Sequence, residues 1–345
     1  RVIVRKNGAM TNGKFEGLMH ISDDRNLFTM VATDQRGSLK RMINPDNPNS
    51  VSAEEMKRVK LSLIKNLAGR GVPSKASGIL VDPEFSVERS FIEACGIRAD
   101  VGILISLEAS GYGGRGELAP KVRIFGGLGV EEAVGRIKGM GASAVKMLVY
   151  YRKDSPTHGY QESMVMRAGE MCAKYDIPFL LECLSHPLED GPHPKKNPVE
   201  FSGIKSKIVI EAAEELTKPE YGVDVLKAEF PLNLKYAEEL GQDPAEACKQ
   251  LDEASQVPWV VLSAGVDYEE FKENVRYATE NGASGFLCGR AIWKEAVGRR
   301  DMDNFIQTTG IKRLSELAAM VGKKAKPWYK KHVGSLGDIE LIRGK

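Results

Sequence analysis

Short apolar runs alternate with amphipathic stretches along almost the whole chain. Eight runs read as strands: 27–32, 78–81, 101–107, 144–150, 178–184, 223–230, 259–262 and 285–288. Each is apolar or nearly so, the pattern of a strand covered on both faces rather than one with a wet side. Helical periodicity lies between them, over 129–140, 161–175, 204–217, 243–254, 268–281 and 303–321. Ser52-Ala53-Glu54-Glu55 has capping-box spacing and opens a further helix that runs to about Gly69. After the second strand only a short helix fits, near 87–94. The stretch 111–127 reads as loop with an extra strand at 121–125.

Strict alternation of strand and helix implies a parallel sheet, and eight such units imply a closed α/β barrel, the (β/α)₈ or TIM barrel. The competing architecture is an open doubly wound sheet, but no GxGxxG opens a helix after an early strand. The chain has 345 residues, 42% of them hydrophobic. α/β barrels of this length fold as one unit. We therefore expect one domain over 1–345, with a short N-terminal extension and a basic tail after Lys323 that is a wrap or a partly mobile end. A Pro-rich stretch at 186–194 follows the fifth strand, which places it at the C-terminal mouth.

Charge narrows the partners. Lys and Arg number 49 against 47 Asp and Glu, a formal net charge of +2. No global field attracts nucleic acid or an anionic membrane, so any anion site is local. No apolar run is long enough to span a bilayer, and 1–13 is polar and basic without the apolar core of a leader. Five cysteines, at 95, 172, 183, 248 and 288, show no CxxC spacing. That fits a reduced, cytoplasmic protein with neither a disulfide framework nor a zinc site. The five histidines, at 20, 158, 186, 193 and 332, form no HxH or HExxH pair. His186 and His193 share the Pro-rich loop, where solvation is the expected state. No metal and no cofactor is expected.

The chemistry lies in charges that interrupt barrel strands. Lys146, Glu182 and Lys227 fall on the fourth, fifth and sixth strands, which are neighbours in a barrel. A buried ammonium is costly unless paired or deprotonated. Two lysines around one carboxylate are partly compensated, and each lysine lowers the other's affinity for a proton, which favours a free amine able to attack a carbonyl. On this pattern either lysine is a candidate nucleophile, and a structural ion-pair network is the competing account. Glu229 falls on the same strand face as Lys227 by alternation, as a further acid/base or a partner. Ser263-Ala264-Gly265 and Gly289-Arg290 close the seventh and eighth strands, where barrels often hold a phosphate; Arg290 suits it bidentately. Asp34 and Gln35, after the first strand, are placed to hold sugar hydroxyls, and Arg36 or Lys40 to meet a second phosphate. Asp82 and Glu108 lie at strand ends and either face a substrate or cap a loop.

The segments VATDQRGSLKRM, ILVDPEFS, SLEASGY, AVKMLVYY, FLLECLSH, YGVDVLKAEFPLN, VVLSAGV and FLCGRAIW occur in this order relative to the strands. From about 27 to 295 the chain resembles class I tagatose-1,6-bisphosphate aldolases. A related branch, the sulfofructose-1-phosphate aldolases, is similar in the last two segments, while LVDPEF and LEASGY lean toward the bisphosphate enzymes. The resemblance implies a metal-independent (β/α)₈ barrel. It implies Lys227 as the Schiff-base lysine, Lys146 beside the imine and Glu182 as proton shuttle. It puts Asp34 and Gln35 on the sugar, and Ser263, Gly265, Gly289 and Arg290 on a phosphate. The expected products of a ketohexose bisphosphate are dihydroxyacetone phosphate and glyceraldehyde 3-phosphate. The expected partners are a phosphorylated sugar and further copies of the chain in a homo-oligomer. Two other readings stay open: a non-catalytic phosphosugar sensor on the same fold, and a barrel isomerase or synthase with Glu182 as base and no imine.

Overall fold

The structure, a computed structural model, describes residues 9–115, 119–188 and 198–342. Eight parallel strands close into a barrel: β1 Phe28–Ala32, β2 Gly78–Val81, β3 Gly102–Ser106, β4 Ala144–Tyr150, β5 Phe179–Leu184, β6 Val225–Ala228, β7 Trp259–Val261 and β8 Gly285–Cys288. Each lies within one of the eight apolar runs, and β8 returns to pair with β1, so the sheet has no edge. The open-sheet alternative is thereby excluded. At the seam Gly285 holds φ at +141°, and a Cβ there would stand 1.9 Å from the Phe28 carbonyl oxygen, so only glycine fits.

Alternation divides the strand residues into two sets. Val145, Met147, Val149, Phe179, Leu181, Leu226 and Val261 join the apolar layer under the helices. Met30, Ala32, Leu80, Leu104, Ala144, Leu180, Val225, Val260 and Leu287 fill the barrel interior. The interior is a packed core, and its uppermost residues together with the polar positions at the C-terminal ends line a cavity.

The helices packed around the strands include α1 Ala53–Ala68, α2 Arg89–Cys95, α3 Val130–Gly139, α4 His158–Lys174, α5 Pro198–Leu216, α6 Pro244–Ala254, α7 Tyr268–Glu280 and α8 Ile311–Lys324. Ser52 caps α1 as its spacing predicted, its Oγ accepting from the Glu55 N–H. α5 starts earlier than its periodicity indicated. The helix expected over 303–321 is broken instead: Met302–Phe305 leads into a π-helical turn, Ile306–Gly310, before α8. The extra strand expected at 121–125 is only Pro120–Lys121, paired antiparallel with Gly113–Gly114.

Two segments distant in sequence, one from Ala9 and one up to Ile342, close the bottom of the barrel. Ala9–Thr11 pairs in parallel with Glu340–Ile342, and the helix Asn12–His20 follows. Met10, Leu18 and Trp328 pack against the barrel interior, with Trp328 fully buried. Lys14 forms a 2.8 Å ion pair with Asp224, both buried. Within the described residues, the part of the tail from Trp328 to Ile342 lies against this end of the barrel.

Candidate active site

A cavity of about 700 Å³ opens at the C-terminal ends of the strands. Its apolar floor includes Ala32, Leu148, Leu184, Leu262 and Leu287. Strand periodicity supplies the chemistry above that floor. Positions 144, 146 and 148 of β4 face one way, as do 180, 182 and 184 of β5 and 225 and 227 of β6. Glu182 is in register with Lys227 on one side and with Leu148 on the other, two residues beyond Lys146. The three charged residues therefore converge without any loop to place them.

Glu182 Oε2 lies 2.8 Å from Lys227 Nζ and 2.8 Å from Lys146 Nζ. Lys146 also reaches Glu108 Oε1 at 2.7 Å and Asp34 Oδ2 at 3.0 Å. Asp34 accepts a further hydrogen bond from Ser106 Oγ at 3.2 Å, and Glu108 accepts from the Leu148 N–H. Burial by itself favours a neutral amine at Lys146, but Asp34, Glu108 and Glu182 overcome it and hold the ammonium well above 10.5. Burial likewise opposes charge on Asp34 and Glu182, yet Lys146 and Lys227 hold both carboxyls below the ordinary carboxylate range. Lys146 is a fixed cation among three anions. Among the described residues, Lys227 pairs with the Glu182 carboxylate.

The predicted residues fall mainly in this cavity. Asp34, Gln35, Arg36, Ser263, Gly289 and Arg290 line it with the lysines and Glu182. Gly265 does not; it lies behind Arg290, where a Cβ would come within 3.2 Å of the guanidinium carbon, and its φ of +86° favours glycine in any case. Gln35 Oε1 is buried and has no hydrogen-bond partner, an open acceptor in the wall. Arg36 is buried and donates to the Glu108 carbonyl at 2.9 Å, so one of its N–H groups already serves the protein. Lys40 is not in the wall; its neighbour Arg41 is, beside Ser38 and Ser110. Glu229 lines the cavity and accepts from the Ser185 N–H at 2.6 Å. Asp82 is a loop cap, accepting from the N–H groups of Glu84 and Phe85. His186 is buried rather than solvated, and its Nδ1 lies 3.0 Å from the Pro187 carbonyl oxygen. His193 and the rest of the Pro-rich stretch from 189 lie outside the described residues.

Sequence reasoning missed Arg41, Ser110, Tyr112 and Ser185 in the wall. Ser110 and Tyr112 belong to the segment SLEASGY, so position in that segment was the available signal. Tyr112 stacks edge-on against Tyr150, with ring centroids 4.8 Å apart.

The chain matches the DeoC/LacD family aldolase domain over residues 28–295. It is 32% identical over 336 residues to a tagatose 1,6-diphosphate aldolase of Staphylococcus aureus strain JH9, covering 92% of this chain and 98% of that protein. A fructose-bisphosphate aldolase from Plasmodium falciparum superposes with a TM-score of 0.60 at 14% identity, over 93% of this chain and 99% of its own. An archaeal fructose-1,6-bisphosphate aldolase, solved with its catalytic lysine covalently bound to the carbinolamine intermediate, gives 0.54 at 19% identity over 89% and 98%. These two share the barrel fold. A family domain matched along most of the chain and a relative so similar over nearly its full length lead to one assignment: the chain belongs to the DeoC/LacD family of aldolases.

Proposed function

We propose that this aldolase cleaves a ketohexose bisphosphate, tagatose 1,6-bisphosphate in the first place, through a Schiff base on Lys227. One observation carries the reading: a single oxygen of Glu182 stands 2.8 Å from both buried lysines. Lys146, encircled by carboxylates, keeps its proton and serves as the electrostatic partner. Lys227 is the amine left to attack, and Glu182 is within hydrogen-bond reach to take and return its proton.

The neutral amine of Lys227 adds to the C2 ketone. Glu182 delivers a proton to the departing hydroxyl, water leaves, and an iminium remains. The C4 hydroxyl proton passes to a carboxylate of the wall, the C3–C4 bond breaks, and its electron pair moves onto the iminium nitrogen. Glyceraldehyde 3-phosphate departs. Protonation of the enamine at C3 and hydrolysis release dihydroxyacetone phosphate and regenerate the amine. The buried ammonium of Lys146 stabilises developing oxyanions.

Ser263, Gly289 and Arg290 hold one phosphate, with Gly265 setting the position of the guanidinium. Gln35 Oε1 accepts from a sugar hydroxyl. Arg41, with Ser38 and Ser110, meets the second phosphate. The name of the S. aureus relative, a tagatose 1,6-diphosphate aldolase, supports the substrate. The five free, buried cysteines support a cytoplasmic setting.

A turnover panel of tagatose bisphosphate, fructose bisphosphate, sulfofructose 1-phosphate and a ketose 1-phosphate tests this, with release of the three-carbon products as the readout. The expected result is fastest cleavage of a bisphosphate. In Arg41→Gln the bisphosphate KM should rise about tenfold or more while ketose 1-phosphate cleavage is unchanged, on the scale of one lost charge-assisted contact. Turnover of no ketose bisphosphate would refute the reading.

A further inference from the structure

Behind the cavity lies a second buried ion pair that the proposed mechanism does not use. Lys60 belongs to the inner face of α1, among Met56, Val59, Leu63 and Leu67. Its side chain and that of Asp82 are both wholly inaccessible, and Nζ stands 2.6 Å from Asp82 Oδ2. Nζ also donates to the Thr33 carbonyl at 2.6 Å. That carbonyl belongs to the peptide whose nitrogen is Asp34, the residue that holds Lys146 from β1. Thr33 is fixed from its other side as well, its N–H and Oγ both donating to the Leu80 carbonyl.

A buried pair of this kind adds little stability over apolar residues of the same volume, since desolvation offsets the attraction. Removing the ammonium, by contrast, frees the one acceptor that orients the Thr33–Asp34 peptide. Burial pulls Lys60 below its ordinary value while Asp82 opposes it, but an amine in either state still has an N–H to give.

We infer that Lys60 is a positioning residue for the aldol reaction: it clamps the Thr33–Asp34 peptide so that the Asp34 carboxylate meets Lys146. The inference rests on the reading of Asp34 and Lys146 as parts of the catalytic network. Asp82 is the counter-ion that makes the clamp tolerable in a dry interior, and it caps the loop after β2 at the same time.

The test compares two variants. Asp82→Asn removes the counter-ion, leaves an amine on Thr33, and retains an oxygen for the loop N–H groups. K60M/D82N removes the clamp as well and leaves no buried charge unpaired. Activity in Asp82→Asn should stay within about threefold of wild type. In K60M/D82N kcat should fall about thirtyfold or more with KM changed less than about threefold, the scale of a small misplacement of a reacting group. Adding Asp34→Ala to K60M/D82N should cost far less than Asp34→Ala costs alone, because both changes disable one unit. A kcat in K60M/D82N equal to that of Asp82→Asn, or full multiplicativity with Asp34→Ala, would overturn the inference. Lys60→Gln in place of Met, too short to reach the carbonyl, covers a failure of the Met variant to fold; failure of both makes the pair structural and also overturns it. Borohydride trapping of wild type separates the two levels. A trapped wild type with an unaffected K60M/D82N sinks the clamp alone, whereas an untrapped wild type sinks the underlying mechanism.

Discussion

A lysine at the inner end of a barrel strand is tolerated in water-poor surroundings either by losing its proton or by being surrounded with anions. The two strand lysines of this chain differ in the number of carboxylates around them. Lys146 has Asp34, Glu108 and Glu182 within 3.0 Å, while Lys227 has Glu182. The difference has a measurable consequence in acid. Asp34 and Glu182 titrate lower in the folded protein than in the unfolded chain. Their stabilisation is therefore complete above the unfolded carboxylate pKa of about 4 and is lost as pH falls through their lower folded values. Lys146 is raised, so its share persists up to about pH 10. Urea unfolding across pH should show a decline below about 4 and a second decline above about 8, where thiols ionise in the unfolded chain while burial keeps Cys95, Cys172, Cys183, Cys248 and Cys288 protonated in the folded one. In Glu182→Gln the acid decline should be shallower; an identical acid slope would mean that this carboxylate is not coupled to the lysines.

Among the secondary-structure elements, the eight strands were legible because a strand covered on both faces leaves an unbroken apolar run, and a helical stretch separated each from the next. The closures at the bottom were not legible. A three-residue strand such as Glu340–Ile342 carries no periodicity, and its partner Ala9–Thr11 lies at the other end of the sequence. Trp328, in a stretch that reads as basic and irregular, is the anchor of that closure, with its ring 6.2 Å from Phe15. Trp328→Ala should cost about 3–5 kcal/mol of unfolding free energy, the range for a large buried aromatic. Because the ring sits at the end of the barrel opposite the cavity, kcat should be unchanged at temperatures where the variant is folded. A drop in kcat without a loss of stability would show that the tail reaches the chemistry. The helix ends were also hard to read: the π turn at Ile306–Gly310 keeps the apolar stripe in place while shifting its phase.

The whole molecule is nearly neutral, yet its mouth concentrates lysines and arginines against carboxylates, which is how a local phosphosugar site arises without a global field. The charged trio that converges in the cavity was visible in the sequence because charge inside an apolar strand has few other uses. Lys60 was not, since a lysine beside Met56, Val59 and Leu63 on a helix reads as a solvated edge of an apolar stripe. Arg41 was obscured by its position in a seven-residue helix, too short to fix which of Lys40 and Arg41 turns inward. What separates the proposed mechanism from a phosphosugar sensor or an imine-free isomerase is a covalent bond to one named residue. Borohydride reduction in the presence of dihydroxyacetone phosphate, followed by peptide mass mapping, reads that bond directly. The account predicts a stable adduct on Lys227 and loss of activity in proportion to labelling. Label on Lys146, or protein that remains active and unlabelled, would contradict it.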